Sequence, residues 1–163
     1  MEKQNVRIIK LEPFRAASFY GFGSEPEMQA LDKLQAWARP RGYLDDPAHH
    51  RVFGFNNPNP SHGSPNYGYE FWITVEKETE PQGDMRVVEY GGGLYAVLHL
   101  VDPFAAPYER IPAGWEALVR WLEDSPYQQG GHQWLEEHLM SEQTTAGQWD
   151  MDLYLPIVER AGA

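Results

Sequence analysis

The chain has 163 residues and a formal net charge of −11, enough length for one domain with a substantial core and too acidic a balance for a phosphate-binding surface. Cysteine is absent, which excludes disulfides, thiolate metal sites and a thiol nucleophile. Met1 to Asn5 has no apolar signal core and no run reaches the roughly 18 apolar residues of a membrane span, so the expectation is a cytoplasmic protein that meets neither membrane nor, directly, nucleic acid.

Val6–Lys10 opens the chain as a short strand, and Ala16–Phe22 follows as a longer one. Ser24-Glu25-Pro26-Glu27 then reads as a capping box, with a hydroxyl at the N-cap, proline in the first turn and glutamate three residues after the serine. Met28, Leu31, Leu34 and Ala38 mark one helical face with Trp37 beside it, until Pro40 and Gly42 stop the helix. Asn56–Tyr67 is a long proline-rich loop. In the next strand Tyr69, Phe71, Ile73 and Val75 alternate with Glu70, Trp72 and Thr74.

Met85–Glu89 and Leu94–Val101 follow as strands, with Gly91-Gly92-Gly93 read as a hairpin turn between them. Trp115, Leu118, Val119 and Leu122 fall at helical spacing, opening after Pro112 and ending near Ser125-Pro126. His132–Leu139 is a strand, Gln143–Gln148 a polar loop and Met151–Leu155 the last strand. Along His132–Leu139, Glu136 and His138 point to one face and Leu135, Glu137 and Leu139 to the other, so one of two adjacent carboxylates must turn inward unless the strand is an edge.

The second half restates the first. Val6-Arg7-Ile8-Ile9-Lys10 aligns with Met85-Arg86-Val87-Val88-Glu89, Trp37 and Tyr43 with Trp121 and Tyr127, and Tyr69-Glu70-Phe71-Trp72-Ile73 with Met151-Asp152-Leu153-Tyr154-Leu155, each about 80 residues later. A period this long, used twice, marks a duplicated module, with repeat 1 at about 5–80 and repeat 2 at about 84–159. Leu135 then matches Phe53, and Glu136 matches Gly54, which has no side chain.

The familiar signatures fail. Gly21-Phe22-Gly23 has Pro26 where a dinucleotide fingerprint needs its third glycine, and Glu25 and Glu27 would repel a pyrophosphate. Six histidines form no metal-ligand spacing, and there is no Gly-x-Ser-x-Gly elbow. No cofactor and no metal are expected. Aromatic residues make up 13% of the chain, more than two amphipathic helices on a sheet require, which favours an aromatic-lined cavity between the repeats.

Gly93-Leu94-Tyr95-Ala96-Val97, Trp121-Leu122-Glu123-Asp124-Ser125-Pro126-Tyr127, Leu135-Glu136-Glu137-His138-Leu139 and Asp152-Leu153-Tyr154-Leu155-Pro156-Ile157 together resemble the motifs of the gyrase-inhibitor-like effector-binding family. That family also supplies the ligand-binding half of multidrug-sensing and AraC-type regulators. The resemblance implies an α+β fold of tandem strand-helix-strand-strand modules, each behind one extra strand, with an antiparallel eight-stranded sheet, two main helices and a pseudo-two-fold. It implies an aromatic cleft with a buried glutamate, assigned by motif to Glu136, and a tyrosine of the last strand, Tyr154. His138 stands where the family has tyrosine, which would make the site sensitive to protonation near neutral pH.

The function so implied is binding of small lipophilic or cationic aromatic molecules, with Trp72, Trp37, Phe55 and Tyr20 as candidate walls. The alternatives are a hydrolase of cyclopropane-containing toxins using Glu136 as acid/base, oriented by Tyr154 or His138, and an acidic interaction module that modulates a partner enzyme. No segment resembles a DNA-binding helix-turn-helix, so direct transcriptional control is not expected. Oligomeric state and natural ligand stay open.

Overall fold

The computed structural model describes residues 5–141, 144 and 148–161. Most of the polar loop over Gln143–Gln148 and all of Met1–Gln4 fall outside them. The architecture is α+β with antiparallel strands and two main helices. The strands are β1 (Arg7–Leu11), β2 (Phe14–Gly23), β3 (Val52–Asn56), β4 (Tyr67–Thr74), β5 (Arg86–Tyr90), β6 (Gly93–Leu100), β7 (Tyr127–Gln129), β8 (Leu135–His138) and β9 (Met151–Glu159). The helices are α1 (Pro26–Ala38) and α2 (Pro107–Glu123); among the described residues no helix is long and apolar enough to cross a membrane.

Two compact units form. The first, Phe14–Tyr90, carries the order β3-β4-β2-β5 with α1. The second carries β1-β6-β9-β8, with β7 on a further stretch of β9, and α2. Each unit therefore takes its outer strand from the other half of the sequence. β1 precedes Pro13 yet pairs with β6, and β5 follows residue 80 yet pairs with β2.

That exchange corrects the reading of Gly91–Gly93 as a hairpin turn, since β5 and β6 each pair with other strands. Gly92 is required for a different reason: its φ is +76°, and a Cβ there would lie 2.0 Å from the Leu11 carbonyl oxygen.

In the first unit Pro26 opens α1 with Glu25 as N-cap, and no side chain caps the helix, so the Ser24 capping box does not form. Proline at the first position needs no N–H partner, and Glu27 complements the helix dipole. Gln29 supplies the missing tie, accepting from the Phe22 amide at 3.3 Å and donating to its carbonyl at 3.0 Å. Ala30, Leu31, Leu34 and Ala38 are buried. Met28, expected on that face, is exposed because it lies well off the line through Ala30, Leu34 and Ala38.

In the second unit α2 starts at Pro107 and carries Pro112 inside it, so the helix opens earlier than its apolar spacing predicts. Gly114, Leu118 and Leu122 are buried, while Val119 is exposed. Gly114 lets the helix approach its sheet: a Cβ would come within 2.7 Å of Leu153 and 3.0 Å of Leu100. Each unit keeps its Trp–Tyr pair, Trp37 on Tyr43 at 5.5 Å and Trp121 on Tyr127 at 6.2 Å between ring centroids.

Candidate functional site

Strand register assigns every side chain of the first unit to one of two sheet faces. Gly21 and Phe19 turn toward α1, the former against Ala30 and the latter against Trp37. Their register partners Tyr69 and Phe71 share that face. Glu70 and Trp72 therefore turn to the other, with Ser18, Tyr20, Phe53 and Phe55 beside them. On this face Phe14 stacks on Phe53 at 5.4 Å, and Trp72 meets Phe55 at 4.9 Å and Tyr90 at 5.4 Å.

Glu70 is buried amid these rings and fully engaged. Its Oε2 accepts from Trp72 Nε1 at 2.7 Å and Ser18 Oγ at 3.1 Å, and its Oε1 from Arg86 Nη2 at 3.1 Å and Asn57 Nδ2 at 3.2 Å. Four donors offset the desolvation of a buried carboxylate.

The second unit has a related face. Leu153 lies under α2, so its register partner Glu136 turns to the helix side and is half-buried. Glu137, Tyr154, Asp152 and Leu135 turn the other way. Tyr154 donates its hydroxyl to Glu137 Oε1 at 2.7 Å, with both residues buried. Tyr95 packs edge-on against Tyr154 at 5.4 Å and donates to the Gln133 carbonyl at 2.6 Å. Asp152 pairs with Arg7 at 3.0 Å and with His99 Nδ1 at 2.8 Å.

The residues expected at the site thus divide. Trp72, Phe55 and Tyr20 share the Glu70 face, while Trp37 sits on the α1 side with Arg41 over its ring at 4.2 Å. Tyr154 belongs to the second unit, where its carboxylate partner is Glu137 rather than the adjacent Glu136, because strand alternation turns neighbours to opposite faces.

Glu70, Arg86 and Glu137 were not singled out by motif, though signals existed for all three. Glu70 alternates with three apolar residues, Arg86 is the repeat partner of Arg7, and Glu137 alternates with Leu135 and Leu139. The Gly54–Glu136 inequality has a packing cause on the first unit's side: a Cβ at Gly54 would lie 2.3 Å from the Tyr69 hydroxyl. Gly54→Ala is expected to lower unfolding free energy by about 1–3 kcal/mol, as overpacking does, and urea denaturation would measure it. An unchanged midpoint would show that Tyr69 moves freely.

His138 is not a sensor near neutral pH. It is buried, accepts from Trp149 Nε1 at 3.1 Å, and burial pushes its pKa from the ordinary 6.5 down to about 3. The neutral ring is the folded form. Since the unfolded chain binds the proton more readily, the stability contributed by neutral His138 is complete above about pH 6.5 and is lost as pH falls toward 3. The His138 imidazole resonances should stay constant between pH 5 and 8; a titration there in the folded protein would overturn this.

Each unit thus sets a carboxylate among aromatic rings on the sheet face turned from its helix, within a domain of the α+β class. The chain belongs to the GyrI-like family, whose small-molecule-binding-domain model matches residues 4–158. No curated protein sequence matches it.

Among solved structures, a chain of the EcmrR–DNA complex matches with a TM-score of 0.68 at 12% identity, covering 96% of this chain; this chain spans 58% of that one. A hydrolase from Listeria innocua matches at 0.64 and 10% identity over 97% of this chain and 94% of its own. SAV2435 bound to tetraphenylphosphonium matches at 0.53 and 12% identity, covering 97% and 94%. At such identities the likeness is one of fold.

Proposed function

We propose that the chain binds bulky lipophilic cations bearing aromatic rings, on the Glu137–Tyr154 face of its second unit. The carrying observation is the buried Glu137 carboxylate held by the Tyr154 hydroxyl at 2.7 Å beside the Tyr95 ring. A carboxylate among rings is a costly arrangement that a delocalised cation relieves, meeting the charge while lying against aromatic faces. Glu137 takes the role that motif alone assigns to Glu136, because Glu136 turns to the α2 side.

The relative SAV2435, solved with tetraphenylphosphonium, supplies the probe. In calorimetric titration, tetraphenylphosphonium should bind at least about tenfold more tightly than neutral triphenylphosphine oxide. Equal affinities would remove the charge from the reading.

A second reading has an observation of its own. A phenol at 2.7 Å from a buried carboxylate orients it for acid–base work on a water molecule, which suits a hydrolase of cyclopropane-containing toxins. Incubation with such a compound separates the two by mass. An unchanged ligand supports binding, and the gain of one water would move the function to hydrolysis.

A further inference from the structure

We infer that the outer face of α2 is a docking surface for another protein's amphipathic helix, one with basic residues flanking its apolar stripe. α2 buries Gly114, Leu118 and Leu122 against its sheet, and these three fall four residues apart along one line of the helix. Tyr108, Pro112, Trp115 and Val119 follow at helical spacing on the neighbouring line.

That second line is left largely to solvent. Tyr108 is 93% and Val119 40% exposed, and Pro112 is exposed as well. Trp115 is half-buried and meets Trp134, also half-buried, at 5.0 Å between ring centroids, which widens the surface at its middle. Exposed to this degree, the Tyr108 ring adds next to nothing to the core. Single exposed apolar residues are ordinary, whereas a contiguous line of them marks an interaction surface. Tyrosine and tryptophan are also the side chains that carry most binding free energy at protein interfaces.

The line from Tyr108 to Val119 covers about three turns, roughly 17 Å. That is the length over which a short amphipathic helix sets anchors at i, i+3, i+4 and i+7.

The charge beside the line selects the partner. Glu109, Glu116 and Glu123 recur every seven residues, so they form a row along the helix on the solvent side of the apolar line. All three are exposed. Among the described residues, Glu116 alone of the three is in an ion pair, with Arg120 at 3.0 Å, and both side chains of that pair lie in water, where such a contact is weak. A row of glutamates beside an apolar line is the device by which paired helices choose partners: it attracts lysine and arginine at the facing positions and repels acid.

The same row disfavours a second copy of this chain. Two copies of α2 packed antiparallel about a two-fold axis would set Glu109 of each against Glu123 of the other, and Glu116 against Glu116. The net charge of −11 adds to that repulsion and draws a basic partner from a distance.

The test is fluorescence anisotropy with a labelled helical peptide of leucine heptads flanked by lysines. The wild type should bind it at least about tenfold more tightly than the same peptide with glutamate in place of lysine. Glu109→Lys, Glu116→Lys and Glu123→Lys combined should reverse that preference. Glu25→Lys, Glu78→Lys and Glu80→Lys combined, at exposed positions of the first unit, make the same change in net charge and should preserve it. Tyr108→Ser with Val119→Ser should weaken the lysine peptide by about tenfold. In the wild type, the Trp115 indole N–H resonance, assigned with Trp115→Phe, should shift on adding that peptide. No binding or no preference between the peptides, the same loss from both triple variants, or a motionless Trp115 resonance at saturating peptide would each overturn the proposal. So would a wild-type dimer in sedimentation that Tyr108→Ser abolishes, which would give the face to a second copy. Should an α2 variant fail to fold, the wild-type preference and spectrum decide.

Discussion

Glu137→Gln is expected to weaken tetraphenylphosphonium binding by about tenfold to a hundredfold, the worth of an interaction with a charged group, while Glu136→Gln should change it by less than about threefold. Glutamine keeps the shape of glutamate, and its carbonyl can still accept from Tyr154, so the loss reports charge rather than packing. The contrast rests on one geometric fact: Glu137 pairs across to Asp152 and faces the Tyr154 hydroxyl, whereas Glu136 pairs across to Leu153 on the α2 side. Calorimetry on the two variants measures it. Equal weakening by both, or none by Glu137→Gln, would place the cation elsewhere.

Phe53→Ala should lower the unfolding free energy by about 3–5 kcal/mol, the sum of lost transfer energy and the cavity left behind. Phe53 is fully buried, stacks on Phe14 with planes 8° apart and lies under the Arg51 guanidinium at 5.0 Å. Because whole domains are stable by only about 5–15 kcal/mol, this one ring accounts for a large share. Phe22→Ala, at an exposed aromatic, is the control and should stay within about 0.5 kcal/mol. Urea denaturation followed by tryptophan fluorescence compares the two, and a loss below about 1 kcal/mol at Phe53 would mean that the aromatic face is loosely packed.

The elements that periodicity located were those with a one-sided environment. Leu118 and Leu122 pack as their spacing predicts, and the alternation along Tyr69–Ile73 separates the α1 face from the Glu70 face as written. The ends were less legible, since Ser24 is passed over and α2 begins at Pro107. Helix ends depend on what the neighbouring backbone meets, which short-range pattern does not encode. His138 misled for a related reason: an imidazole in sequence carries its ordinary pKa, and only burial moves it.

Apolar period and repeat spacing, which are properties of the chain, determined the duplicated order of strands and helices, and the resemblance carried by its motifs pointed to the α+β fold and the family. The sequence also held the matched pairs Arg7 with Arg86 and Asp152 with Glu70, though not as ion pairs. Only the tertiary structure decided that β1 and β5 each complete the other half's unit, that Arg86 reaches Glu70, and that Glu137 rather than Glu136 meets Tyr154. Pairing register and sheet face are set by partners distant in the chain, and a one-residue step in a strand turns a side chain to the opposite face.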